Sequence, residues 1–413
     1  MQTKFQMMYK LYLLAGLLFL AVSGSAQIIK YDSVDVERQH AALPYYSYGK
    51  GLGLTSPDSI FQLNIRFRMQ NRATYWDNEG EEESIDGQVR RLRLRFDGYV
   101  GNPDFMYSIQ LSFAPEDVGE VENGKNINII RDAVVVYKPN DHWDFSFGQT
   151  KLPGNRQRLN SSGGLQLTDR SINNAKFNID RDFGLQIHNT NEFDNRFSYN
   201  FRGAVSMGDG RNWTDNEDTG IALTGKAEVY PFGAFKKNGA YFEGDLMREP
   251  KPKLMLSAAY HQNNQAKRER GQTGRDLFGT RTMRSAFADL IFKYNGWSFQ
   301  SAYMNRTADN PITVNPEDGN DIRYVYVGEG FDAQGSYLFR NNFELIGRYS
   351  NQWVDDKIEM FEPNTQQFSL GLTKYIWEHA FKLQAEATYE IQDFYLGQQN
   401  KNWYVRFQVE IGI

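Results

Sequence analysis

From Ile60 to the last residue the chain alternates apolar and polar side chains with a period of two. Phe61, Leu63, Ile65, Phe67 and Met69 are interleaved with Gln62, Asn64, Arg66, Arg68 and Gln70. The final segment repeats the pattern, with Trp403, Val405, Phe407, Val409, Ile411 and Ile413 set against Tyr404, Arg406, Gln408, Glu410 and Gly412. Such alternation puts one set of side chains on each face of a β-strand. Runs of this kind fall at 60–76, 88–100, 103–113, 128–138, 142–150, 181–189, 195–207 and 219–230. Eight more follow at 252–262, 284–294, 297–306, 325–338, 343–353, 365–376, 380–391 and 402–413. Sixteen strands, each with one apolar face, predict an all-β fold: a transmembrane antiparallel β-barrel. Hydrocarbon cannot satisfy an open sheet edge, so such a sheet must close on itself.

The connections carry a second rhythm. Short turns at Gly101-Asn102-Pro103-Asp104, Lys138-Pro139-Asn140-Asp141, Asn295-Gly296 and Arg340-Asn341-Asn342 alternate with long polar loops. The long loops lie near 77–87, 114–127, 151–180, 208–218, 263–283, 307–324, 354–364 and 392–401. Barrels of the outer membrane keep short turns on the periplasmic side and long loops outside. The connection at 231–251 breaks the rhythm, being long on the periplasmic side. Trp143, Trp297, Tyr375 and Trp377 at one set of strand ends, with Trp76, Trp353 and Trp403 at the other, suggest two aromatic girdles.

Composition narrows the classes further. Mean hydropathy of −0.62 together with 15% aromatic residues suits a sheet with one wet and one greasy face. A net charge of −5 argues against nucleic-acid binding, and the lack of cysteine removes thiolate metal sites. Lys4 and Lys10 precede an apolar stretch, Leu11 to Val22, and then Gly24 and Ala26 stand before Gln27. That order predicts a signal peptide at 1–26. A periplasmic lead-in at 27–59 and the barrel at 60–413 follow, so the expected location is the outer membrane.

Several stretches resemble one family of Gram-negative outer-membrane proteins. They are Gly49-Lys50-Gly51-Leu52 leading to Asp58, the run Arg91-Leu92-Arg93-Leu94-Arg95-Phe96-Asp97-Gly98, and Arg131-Asp132-Ala133. Gly148-Gln149-Thr150-Lys151-Leu152-Pro153, Arg181-Asp182-Phe183-Gly184-Leu185 and Tyr230-Pro231-Phe232-Gly233 complete the set. In order and spacing these are similar to the phosphate-selective porin O/P family, in its Bacteroidetes-like form. The resemblance implies a sixteen-strand barrel, a homotrimer, and passive uptake of small anions or polar solutes such as phosphate. It also implies that the loop at 151–180 folds into the lumen and narrows it.

With apolar residues facing lipid, the alternate positions face the pore. Arg66, Arg68 and Arg72 on the first strand and Arg91, Arg93 and Arg95 on the second then line the interior, and barrel closure adds Arg406. Facing outward near the bilayer midplane, each would cost roughly 2–4 kcal/mol. Asp97, Glu344, Glu386, Glu390 and Glu410 are candidate lumenal partners, which would make the opposite wall acidic. The 151–180 loop brings Lys151, Arg156, Arg158, Arg170 and Lys176 against Asp169 and Asp180, a balance that favours anions.

Other classes have weaker support. The acidic runs at 77–86 and 315–321 lack EF-hand spacing and fit solvated surface bridged to lipopolysaccharide, so neither a metal nor a cofactor is expected. Of His40, His142, His188, His261 and His379, only His261 sits near the extracellular rim where a hydrolase dyad could form. Neither a Gly-x-Ser-x-Gly elbow nor a His-Glu-x-x-His pair occurs, so an outer-membrane hydrolase is a poor fit. Two alternatives remain: a non-conducting docking barrel, separated from a channel by whether the lumen is open, and a soluble β-sandwich, which detergent-free solubility would support.

Overall fold

The computed structural model describes residues 45–47, 51–118, 128–212 and 219–413. The expected signal peptide, His40, Gly49, Lys50 and most of the lead-in lie outside the described residues. Sixteen long strands form one sheet. They are β1 (Phe61–Asp77), β2 (Ser84–Val100), β3 (Asn102–Ser112), β4 (Ile130–Asn140), β5 (Trp143–Lys151), β6 (Arg181–Asn191), β7 (Ser198–Ser206) and β8 (Ala222–Tyr230). The second half comprises β9 (Lys253–Arg268), β10 (Asp276–Tyr294), β11 (Trp297–Ala308), β12 (Gly328–Leu338), β13 (Phe343–Val354), β14 (Asn364–Trp377), β15 (Phe381–Asp393) and β16 (Gln399–Gly412). Each pairs antiparallel with its sequence neighbours, and β16 returns to β1 in a register from Trp403↔Asp77 to Gly412↔Arg68. The sheet therefore closes. Among the described residues no helix is long and apolar enough to cross a membrane.

The strand expectations hold with shifts of a few residues, except on the long-loop side. There β9 and β10 run to Arg268 and back from Asp276, well past the expected ends at 262 and 284. Their polar tips escape detection because strands standing above the lipid need no apolar face. The lead-in also contains structure: Gly51–Thr55 pairs with the lower half of β1, and Tyr45–Ser47 pairs with Gly51–Thr55. The tight turn between β10 and β11 uses Asn295 at φ 46° and Gly296 at φ 91°, the left-handed pair that a two-residue hairpin needs.

Large apolar side chains such as Phe147, Leu185, Phe201, Leu370 and Trp297 stand outward and exposed, as a lipid-facing wall requires. Two expected girdle residues do not belong to it. Tyr375 is buried in the interior, where its hydroxyl donates to Glu344 at 2.6 Å. Trp76 also turns inward, with its ring 5.0 Å from that of Tyr404. Both share the strand parity of the polar positions, and that parity overrides their place at a strand end.

Two connections enter the barrel. The 151–180 loop carries α2 (Arg156–Leu159), a 3₁₀ turn (Ser162–Gly164) and α3 (Ile172–Phe177), after the short α1 (Pro115–Val118) of an earlier loop. Leu152, Phe177 and Ile179 pack with Phe287, Met304 and Val327 in a buried cluster that holds the loop against the wall. Gly330 lets α3 approach closely, because a Cβ there would lie 2.4 Å from Asn173 Oδ1. The second insertion is the connection at 231–252, whose 3₁₀ segment Lys236–Tyr241 leads into buried Glu243, Asp245 and Glu249. The long periplasmic connection that broke the sequence rhythm is thus an inward fold.

Candidate functional site

The inserted 151–180 loop is tied to the far wall by hydrogen bonds from almost every turn. Thr168 donates through its amide and hydroxyl to Glu386 at 2.9 and 2.6 Å, and Ser171 donates to Asp332 at 2.6 Å. Lys382 donates to the carbonyls of Gly163 and Leu165, both at 2.6 Å. Arg306 caps the end of α3 through the carbonyls of Lys176, Phe177 and Asn178. With the loop held against β10 to β15, open space remains along β1, β2 and β16. That space is lined by arginine.

Two chambers occupy it. The outer one, about 560 Å³, lies on the long-loop side and is lined by nine arginines and five carboxylates. The inner one, about 410 Å³, lies toward the short turns and the end of β16. Arg93 lines both. Its guanidinium donates to Asp117 of α1 at 2.9 Å and to Ser162 of the loop at 2.9 Å. Arg93 thus stands between the two chambers, with each of its three guanidinium nitrogens hydrogen-bonded.

Each expected basic residue has a definite place. Arg72 and Arg91 both donate to Asp169, at 2.9 and 2.8 Å. Arg68 donates to Ser161 and Ser162. Arg66 and Arg95 share Asp97 in the inner chamber. Arg406 lies 3.9 Å over the Tyr404 ring and 5.0 Å from that of Trp76, at the wall of the outer chamber. The five loop cations divide. Arg158, paired with Asp180 at 2.7 Å, and Arg170, bonded to the Gln157 and Asn160 carbonyls, line the outer chamber. Lys151 instead holds the Leu159 and Asn160 carbonyls, Arg156 binds the Ala240 carbonyl and Gln300, and Lys176 pairs with Glu362. These three tie the loop down and do not line either chamber.

Sequence parity missed two of the interior cations. Gln70 pairs with Arg91 and Asn71 with Val89, so Arg90 is an extra residue in β2. Likewise Gln110 pairs with Asp132 and Leu111 with Ile130, leaving Arg131 extra in β4. A β-bulge of this type re-aims a side chain without ending the strand. Here each bulge adds an arginine to the interior: Arg90 joins Asp169 at 2.9 Å and Arg131 joins Asp117 at 2.7 Å. The adjacent charged pairs Arg90-Arg91 and Arg131-Asp132 were the available signal, since strict alternation would push one charge of each into lipid.

The expected acidic wall is also redrawn. Asp97 and Glu410 do meet the arginines, Glu410 lying 3.8 Å from Arg68. Glu344 accepts from Gln166 of the inserted loop and from Ser336 and Tyr375 of the wall, Glu386 accepts from Thr168 of the loop and from Thr388, and Glu390 accepts from Gln367 and Gln392. The main counter-charges to the stripe are Asp169 and Asp117, which come from loops. Burial pushes the Asp169 carboxyl up, yet Arg91, Arg90 and Arg72 outweigh this and hold it well below the usual carboxylate range. Burial acts on Asp117 in the same way and is overcome by Arg93 and Arg131. His261 is buried, and its ring shares hydrogen bonds with Thr224 and Gln272 at 2.9 and 3.3 Å, a hydroxyl and an amide in place of the carboxylate of a dyad.

The sequence model described as phosphate-selective porin O and P matches residues 61–386. The chain belongs to the phosphate-selective porin O/P family. Solved structures agree in fold. The outer-membrane channel DcaP of Acinetobacter baumannii is 16% identical, with 87% of this chain and 99% of that one covered and a TM-score of 0.54. OmpF of Salmonella typhi, solved with daunomycin, is 12% identical over 85% and 98% of the two chains, with a TM-score of 0.52. None of the curated proteins compared with this porin matches significantly. This member of the porin O/P family is an outer-membrane channel for passive diffusion, and its fold is that of a channel rather than of an enzyme.

Proposed function

We propose that this porin favours anions, phosphate among them, and that they pass from the outer chamber to the inner one by way of Arg93. The observation that carries this reading is the excess of guanidinium over carboxylate in the outer chamber, nine against five. A narrow passage with low-dielectric walls and one sign of charge raises the local concentration of the opposite ion. Arginine stays charged throughout the working pH range and offers a planar fork to two oxygens of a phosphate or carboxylate. Arg66, Arg68, Arg72, Arg91, Arg93, Arg95 and Arg406 form the wall of this path, with Arg90 and Arg131 added by the bulges and Arg158 and Arg170 by the loop. Lys151, Arg156 and Lys176 keep that loop in position.

We further propose a signal peptide cut before Gln27, a homotrimeric assembly, and acidic outer loops that meet lipopolysaccharide. The first two are checked by the mass of the mature protein and by cross-linking in the membrane. The loop folded into the barrel also supports a second reading, a barrel that docks partners without conducting. Flux from proteoliposomes separates the two. Labelled phosphate leaving several times faster than labelled rubidium supports the anion channel. Equal rates point to a general porin, and no flux of either ion with inserted protein selects the docking barrel.

A further inference from the structure

The inner chamber differs chemically from the outer one. Its β1–β2 side presents Arg66 and Arg95, two guanidiniums sharing the single carboxylate of Asp97, with the Arg95 side chain 40% exposed. Another part of its lining comes from the inward connection at 231–252. There each acidic residue accepts hydrogen bonds that anchor the segment. Glu243 accepts from the Gln166 amide at 2.9 Å and from Gln157 and Gln300 at 3.0 Å each. Asp245 accepts from the amides of Glu249 and Gly296, and Glu249 accepts from that of Lys236 at 2.7 Å. With the polar side of the segment fastened to wall and loop, Phe242, Leu246 and Met247 are left partly exposed along the chamber. The Phe242 ring stacks on His379 at 5.4 Å and 25°, which fixes a flat apolar face in the same chamber as the arginines.

Inorganic phosphate gains nothing from such a face. A passage shaped only for a hydrated inorganic ion would carry polar side chains on both sides. A volume of about 410 Å³ falls within the roughly 300–1,000 Å³ of pockets that hold small organic ligands. From this pairing of walls we infer that the inner chamber is a binding subsite for organic anions, an oxyanion head on Arg66 and Arg95 and an apolar or aromatic body on Phe242, Leu246 and Met247. Aryl carboxylates and aryl phosphates are the matching class. The inference rests on the anion-favouring reading above and narrows it: the preferred solute carries a hydrophobic body.

Single-channel block in planar bilayers tests it, with phenyl phosphate compared with inorganic phosphate at about pH 8, where both are dianions. Withdrawing on the order of 55 Å² of ring surface from water corresponds to about a tenfold gain in potency. Phenyl phosphate is therefore expected to block at about one-tenth the concentration of inorganic phosphate. In the double variant Leu246→Asn, Met247→Gln the potency ratio should fall toward unity. Equal potency in the wild-type channel overturns the inference while leaving anion preference standing. If neither compound blocks and the open channel prefers potassium, the anion reading fails and takes the inference with it. The wild-type comparison is sufficient should the variant fail to insert.

Discussion

Replacing Asp169 by asparagine removes one negative charge from the centre of the outer arginine cluster. The carboxylate is held by Arg72, Arg90 and Arg91 at 2.8–2.9 Å, and among the described residues Glu116, 2.6 Å from Arg90, shares the neutralisation. The loop has reason to stay in place. The Asp169 carbonyl is fixed by Arg348 at 3.0 Å, and the preceding Thr168 is bonded to Glu386. The substitution therefore exposes about one extra positive charge to the chamber. For an ion about 7 Å away, with an effective dielectric constant of about 40–80, that charge is worth roughly 0.6–1.2 kcal/mol. Screening at ~0.1 M salt, where the Debye length is about 10 Å, halves the figure. Anions are then enriched and cations depleted by about twofold each, so the chloride-to-potassium permeability ratio should rise about fourfold. Reversal potentials in bilayers, recorded for the wild type and Asp169→Asn at ~0.1 M and at 1 M KCl, provide the assay. At 1 M, with a Debye length of about 3 Å, the difference should nearly vanish. An unchanged or lowered ratio at ~0.1 M, from a variant with normal conductance, would refute Asp169 as the brake on the cluster.

Further tests address the scaffold. Gly330→Ala would place a methyl group 2.4 Å from Asn173 Oδ1. Asn173 cannot give way, being bonded to the Phe331 and Asn351 carbonyls and to Asp332. A loss of about 1–3 kcal/mol in urea unfolding from bilayers is expected, with altered single-channel conductance. Glu243→Ala strips the acceptor from Gln157, Gln166 and Gln300, each buried and costing about 1–3 kcal/mol if left unpaired. It should loosen both inserted segments, seen as added open-channel noise. The Asp169 carboxyl is held below its ordinary value, so its stabilisation is complete above the unfolded value near 4 and is lost only as pH falls through the depressed one. Loop-dependent conductance should accordingly stay level from about pH 8 down to about pH 4; a step in that interval would contradict the pairing.

The wall was readable because lipid enforces it. Outward positions at the depth of the hydrocarbon must be apolar, and a one-residue slip would move a whole strand's charges into it. Where that pressure stops, the reading weakens, as in the polar upper halves of β9 and β10. The interior is harder for a related reason. Parity says which side chains face inward but not what they meet there. It turned Arg72 and Arg91 toward the interior while leaving open that a loop aspartate from 78 residues beyond Arg91 would sit between them. Bulges defeat parity outright, and Arg90 and Arg131 were lost to it although their charged neighbours betrayed the break. The inward course of 231–252 was visible only as a connection of the wrong length. Its mixture of Phe235, Tyr241 and Phe242 with Glu243, Asp245 and Glu249 suits a segment with one side anchored by carboxylates and the other facing the passage. Resemblance supplied the inward loop at 151–180, and hydrogen bonding decided which of its cations reach the passage.

The central claim is that the arginine wall, Arg93 included, selects for anions. The reversal potential of the refolded channel across a KCl gradient, repeated with Arg93→Gln, tests it most directly. The account predicts a wild-type potential on the chloride side of zero that falls toward zero in the variant while conductance persists. A wild-type potential at zero or on the potassium side, from channels with stable conductance, would contradict it.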